Sequence, residues 1–249
     1  MYDVIVLGAT FAAAGIARVR KEKCLILDSK PYAGHEFLSA LHFGTAYETP
    51  LKTKEGQALY ETFVEREALT EERICLFPCA APFYQLLEGF PVLLNMQIVS
   101  VTKEAEGFTC IAHGISGYRT FKAKQIVDTR CTPETCSSKT YNFLVDGEGN
   151  ISLPQGVKKE NWGLPRHYVL RCPVPVDADY ADGRKAAMQV LKGLPTGERL
   201  LLLADEFDYT VKGAYPKEEN GITYLPSKAY KNPILAYEAG VCFAKGGEA

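Results

Sequence analysis

No stretch of this 249-residue sequence approaches the run of about 18 apolar residues that a membrane helix requires, so no membrane partner is expected. Neither sign of charge is in excess. The 28 Lys and Arg face 30 Asp and Glu for a net charge of -2, and the basic field that would mark a nucleic-acid partner is missing. The amino terminus lacks the pattern of a secretory leader: its apolar stretch begins at once, carries Asp3 and flows into a glycine turn. A cytoplasmic location is the expectation. No Ser-His-Asp set, HExxH or P-loop is present, and neither is an internal repeat.

The CxxC spacing is also missing. Cys75 and Cys79 enclose three residues and Cys131 and Cys136 enclose four, so no metal centre is expected; redox pairs held in tight turns by Pro78 and Pro133 are the alternative. Cys24, Cys110 and Cys172 sit in apolar or strand-like runs and read as small buried hydrophobes.

What is there is 47% hydrophobic and 23% charged, enough for one sizeable core or a main domain with a smaller lobe. "DVIVLG" is a short apolar run suited to a strand buried on both faces, and "FAAAGIARVRK" is a good helix former. "KCLILDSK" is a second buried strand ending at Asp28. Strand, helix and strand within about 30 residues make a βαβ unit. "PYAGHEFLSALHFG" reads as a turn and then a helix, "EGQALYETFVEREAL" as a helix, and "PVLLNMQIVSVTKEAEG" as one strand turning at Glu106-Gly107 into "FTCIAHG". "FKAKQIVDTR" is a further strand ending near Asp128. Further on, "RHYVLRCPVPV" predicts a strand, "ADGRKAAMQVLKGL" a helix and "ERLLLLADEFDYTV" a strand. Asn232-Pro233 is a helix start, with Asn as cap and Pro at the first helical position. The expected fold class is α/β: a Rossmann-type dinucleotide-binding domain of residues 1–160 and 221–249 with a parallel sheet, plus a small α+β substrate or cap lobe of residues 161–220.

In the dinucleotide fingerprint G-x-G-x-x-G, the glycines serve the tight turn, the approach of the pyrophosphate and the packing of helix on strand. Here they read Gly8, Thr10 and Ala13, with Ala9, Phe11 and Ala12 between. Asp28 follows Gly8 by 20 residues, where an acid holds ribose hydroxyls, and Ser29 and Lys30 come next. His35, beside Gly34, is the one candidate general base; no other catalytic residue is identified. His42 and His113 carry no such placement, whereas His167, Arg166 and Arg171 form a candidate anion grip. Glu36 and Glu238 are candidate site acids. Tyr215, Tyr224, Tyr230 and Tyr237 would either line a pocket or pack.

With these residues in view, the sequence resembles the FAD-dependent oxidoreductases of the glutathione-reductase-like superfamily. "YDVIVLGATFAAAGIA" resembles that family's fingerprint, and "LILDSKPYAGHEF" its acid followed by a glycine turn. "PVLLNMQIVSV" resembles the strand beside adenine, "TFKAKQIVDTR" the T-x-x-A-x-x-h-h-h-A-T-G signature, and "LPSKAYKNPILAYEAG" the helix entry near the flavin. The resemblance implies an FAD site and hydride transfer to flavin from a small-molecule substrate. It implies that Gly8, Thr10 and Ala13 face the pyrophosphate, with Ala9, Phe11 and Ala12 in the same cofactor-binding turn, and that Asp28 faces the ribose. Val99 would lie near adenine through its backbone, Asp128 and Thr129 would fall in the signature, and Asn232 and Pro233 would open the helix aimed at the flavin. Two departures stand out: Arg130 replaces the signature's glycine, and no Gly-Asp motif precedes Asn232. The other readings are a non-catalytic or partner-dependent subunit of the same fold and an NAD-binding dehydrogenase, with homo- or hetero-oligomers open in each.

Overall fold

The computed structural model describes residues 1–69, 74–132, 135–161 and 165–246. In chain order its elements begin with β1 (Tyr2–Leu7), α1 (Phe11–Arg20) and β2 (Cys24–Leu27). The helices α2 (Lys54–Glu65) and α3 (Leu76–Leu87) follow, then β3 (Val92–Leu93), β4 (Gln97–Glu104), β5 (Gly107–Gly114) and β6 (Gly117–Asp128). Next come β7 (Cys136–Asp146), β8 (Lys158–Asn161), β9 (His167–Val174) and α4 (Tyr180–Lys192). The chain closes with β10 (Arg199–Leu203), β11 (Asp208–Val211), β12 (Lys217–Glu219), β13 (Ile222–Tyr224) and α5 (Pro233–Ala244).

The larger sheet runs β12-β13-β6-β1-β2-β3, with β13, β6, β1, β2 and β3 parallel. All four residues of β2 and the last four of β1 are buried, which accounts for their unbroken apolar sequence. The helix α1 fits closely because it is built from small residues. A Cβ on Gly15 would lie 2.0 Å from the Tyr237 carbonyl, and one on Gly240 2.0 Å from the Ala12 carbonyl, so the two glycines let α1 and α5 cross backbone to backbone. The second half of β6 lies in the parallel sheet, and its first half forms a meander with β4 and β5.

The smaller sheet is antiparallel, ordered β10-β7-β9-β8, with β11 also on β7. Its first strand starts at Cys136, so the second layer begins earlier than the boundary at 161. The reason is that β7 is its central strand and finds its partners β9, β10 and β11 only later in the chain.

Three expected elements differ. Residues 35–41 form successive turns and no helix. Leu41 has φ 52°, and the carbonyls of Ser39 and Ala40 serve the amide of Asp205 and the side chain of Asn142. The strand expected from Pro91 onward breaks at Asn95, with φ 55°, where the amides of Asn95 and Met96 bond the carbonyls of Lys30 and Asp28. "ERLLLLADEFDYTV" makes two strands separated by residues 204–207, both on β7. Asn232 caps α5 as expected, accepting the Leu235 amide at 2.8 Å, with Pro233 in the first turn. Cys24, Cys110 and Cys172 are buried in strands. The Cys75/Cys79 stretch is no tight turn: it opens α3, and the Cys79 thiol donates to the Cys75 carbonyl one helical turn back. Pro133 lies outside the described residues.

Candidate functional site

The site is built where β1 ends and α1 begins. Gly8 takes φ 99°, which is open to glycine and strained for other residues. Thr10 is the cap of α1: its hydroxyl accepts the Ala13 amide at 3.2 Å and donates to the Thr129 hydroxyl at 2.8 Å. Thr129 in turn donates toward the carbonyls of Leu7 and Gly8. Thr10 is fully buried, so the side chain that replaces the second glycine is turned to local bonding. The third position, Ala13, is buried as well and carries its amide to that cap.

Two carboxylates take further amides at this turn. Asp28 Oδ2 accepts the Ala9 N–H at 2.6 Å, and Glu36 Oε1 accepts the Phe11 N–H at 2.9 Å. Glu36 Oε1 also accepts the Ser227 hydroxyl at 2.7 Å, which joins α1 to the segment before α5. Asp28 is engaged on both oxygens, Oδ1 taking the Lys30 amide at 2.9 Å and Oδ2 lying 3.1 Å from His35 Nε2. Arg130 forms a two-pronged bond to Asp128, at 3.0 and 2.7 Å, and its stem covers the turn: a Cβ on Gly8 would meet Arg130 Cγ at 2.6 Å.

The electrostatics follow from burial and pairing. Burial opposes the charge on Asp28, but the hydrogen bond and charge of His35 and the two amides outweigh it and hold the carboxyl below its usual range. Burial likewise opposes charging of His35, yet the Asp28 hydrogen bond and the carboxylates of Asp28, Glu36 and Glu206 raise its pKa. For Glu36 burial prevails and the pKa rises. Burial pushes the Cys131 thiol up to about 12, which makes it a poor nucleophile. Lys30 pairs with Glu206, and the Tyr180 hydroxyl also donates to Glu206, bringing α4 to this turn.

A cavity of about 200 Å³ remains between the two layers, lined by Thr10, Asp28, Ser29, Lys30, His35, Glu36, Arg130, Cys131, Thr132, Glu206, Phe207 and Tyr209. The sequence-derived candidates divide accordingly. Thr10, Asp28, Ser29, Lys30 and His35 share the cavity, whereas Val99 lies on β4 in the meander, 52% exposed and outside that lining. Asn232 is spent on Leu235 and on the carbonyls of Thr45 and Ala46. The anion grip does not assemble: Arg171 pairs with Glu160 and Asp208, and Arg166 with Asp146 and Glu148. Glu238 accepts the amides of Lys52 and Thr53 at the start of α2. Sequence reasoning missed Glu206, Tyr180 and Ser227, whose side-chain partners lie 26 to 191 residues away and leave no local pattern.

As they stand, the residues of the turn do not fit a dinucleotide pyrophosphate. Such a group binds to free amides at a helix N-terminus. Here the amides of Ala9, Phe11 and Ala13 already have acceptors, two of them the carboxyl groups of Asp28 and Glu36, and the charge held on Asp28 would repel a phosphate. A cavity of about 150 Å³ holds benzene, so the space present is that of a single ring with substituents.

No protein-family model and no curated protein sequence matches this chain. Solved structures resemble it at low identity. Glycine oxidase from Geobacillus kaustophilus is 13% identical with a TM-score of 0.63, over 100% of this chain and 95% of that one. AlpK is 14% identical with a TM-score of 0.57, over 99% of this chain and 61% of that one. Aklavinone-11 hydroxylase, solved with FAD and aklavinone, is 12% identical with a TM-score of 0.53, over 98% of this chain and 61% of that one. The chain thus spans less than two thirds of the length of the latter two. The likeness is one of fold: a Rossmann-type α/β architecture with a parallel sheet.

Proposed function

We propose that this chain is a flavin-fold binding module whose dinucleotide groove is closed by its own side chains. The observation that carries the reading is the Glu36 carboxyl group on the Phe11 amide, an internal acceptor at the helix end where a cofactor phosphate would sit. Asp28 on the Ala9 amide and the Arg130 stem over Gly8 support it. The chain's own residues then hold α1, the loop after β2 and the start of α5 in register, work that a bound dinucleotide would otherwise share. The NAD reading meets the same obstacle, because its pyrophosphate uses the same turn.

The second reading, an FAD-dependent oxidoreductase acting on a small molecule, is favoured by the likeness to a structure solved with FAD and by Asp28 at the end of β2. FAD would supply hydride chemistry when bound. That reading requires Glu36 to leave the Phe11 amide.

Purified protein, supplemented with FAD and desalted, separates the two. Denaturation should release no flavin absorbance, and titration with FAD or ADP should give no saturable heat. Stoichiometric FAD release would overturn the first reading in favour of the second.

A further inference from the structure

Three residues lining the cavity have a buried side-chain atom without a hydrogen bond, His35 Nδ1, Glu36 Oε2 and Glu206 Oε2. Glu206 Oε2 is ion-paired with Lys30 and lies 3.9 Å from His35 Nδ1, beyond hydrogen-bond reach, which leaves His35 Nδ1 and Glu36 Oε2 as the open ends. His35 is 8% exposed and Glu36 5%. Each is the unused end of a group whose other end is fixed, His35 Nε2 by Asp28 and Glu36 Oε1 by Phe11 and Ser227. Unsatisfied buried groups are uncommon and point to a missing partner, either an ordered water or a ligand.

The charges around them narrow the chemistry. Asp28 faces His35, Glu206 faces Lys30, and Asp128 faces Arg130, so each cation already has its carboxylate. No cation is left to hold a phosphate or carboxylate. What is unmet is one carboxylate oxygen, which wants a donor, and one imidazole nitrogen. A hydroxyl group donates and accepts, and so suits both. Tyr209 and Phe207 supply an aromatic wall for the apolar face of a ring.

We propose that this cavity binds a small neutral polyol, a monosaccharide- or cyclitol-sized ring whose hydroxyls meet Glu36 Oε2 and His35 Nδ1. The inference rests on the reading that the groove holds no FAD. The two fail separately, since FAD uptake is read by flavin absorbance and polyol binding by the His35 resonance.

The experiment is an NMR titration of the full chain labelled with ¹⁵N-histidine, using D-xylose, myo-inositol and inorganic phosphate in turn. The expected result is a saturable shift of the His35 ring nitrogens with at least one polyol and none with phosphate. Glu36→Gln should weaken that binding about tenfold, the loss expected of a hydrogen bond to a charged group. Tyr209→Ala, at the wall, should weaken it too and serves if Glu36→Gln does not fold. The proposal is overturned if neither polyol gives a saturable shift up to its solubility, which leaves a water at these atoms. It is also overturned if phosphate gives the shift, or if the folded variants bind as the parent does.

Discussion

The carboxylate of Glu36 accepts the amide of Phe11 at 2.9 Å across 25 residues of sequence, fixing the loop after β2 to the first turn of α1. A helix N-terminus leaves amides in want of acceptors, and here the chain supplies one from within, an acid whose pKa burial raises. The same oxygen takes the Ser227 hydroxyl, so one carboxylate joins three segments at the point where a dinucleotide fold usually meets its ligand.

Glu36→Ala should therefore destabilise the fold. It leaves the Phe11 amide and Ser227 hydroxyl without their acceptor, for a loss of about 1–3 kcal/mol. Glu36→Gln keeps an acceptor oxygen and should lose less. Urea denaturation of the three proteins checks the order. Equal midpoints for parent and Glu36→Ala would mean that the bond adds nothing.

His35 gives a pH signature. Its folded pKa lies above the ordinary 6.5, so its charge supports the fold fully below that value and the support is lost as pH rises through the folded pKa. Asp28→Asn removes the largest of the groups that raise it, leaving only Glu36 and Glu206 to oppose burial, so the His35 pKa should fall below the parent's. An NMR pH titration reads this directly, and an unchanged pKa would separate the two residues.

A second buried cluster responds to acid. Asp208 on β11 contacts His42 at 3.0 Å, Lys228 at 2.6 Å and Arg171, and joins the smaller sheet to the segment before α5. Burial opposes its charge, but these neighbours outweigh it and hold its pKa well below 3.8. Its contribution is then present above pH 3.8 and lost as pH falls through the lower folded value. Asp208→Asn leaves the buried Lys228 without its carboxylate and takes one of two from Arg171, which keeps Glu160, and should cost about 3–5 kcal/mol at neutral pH. It should also flatten the acid limb of a melting-temperature profile. An acid limb as steep as the parent's would assign acid unfolding to other groups.

How much of this was legible in the sequence depends on distance along the chain. The strands around α1 were, because burial on both faces writes itself as "DVIVL" and "CLIL", and so was the Asn232-Pro233 start, a local motif. Asp28 was placed correctly at the strand end, but its partners Ala9 and His35 depend on how the turn folds back. Glu36 read as one acid among many, since nothing near it in sequence marks a bond to Phe11. Lys228 is buried against Asp208 and the Phe37 ring, a placement that no periodicity marks. The early start of the smaller sheet was hidden for a similar reason: β7 is defined by strands that come after it.

The crossing of α1 and α5 offers the most local test of the fold. Gly15 and Gly240 are helical glycines, so their value lies in having no side chain and not in backbone freedom. A methyl group at Gly15 would sit 2.0 Å from the Tyr237 carbonyl and 2.8 Å from the Val241 amide nitrogen, both backbone atoms that no rotamer change can move. The helices must then separate, and the buried face of α1, from Phe11 to Ala17, must repack. Alanine is the better helix former by about 1 kcal/mol, so Gly15→Ala would stabilise an isolated α1. Overpacking at the crossing works the other way and costs about 1–3 kcal/mol or more. The variant should therefore melt below the parent, and Gly89→Ala, with nothing within 4 Å of its Cβ, tests the opposite case of strain without a clash. A Gly15→Ala protein as stable as the parent would show that the two helices do not meet in this register.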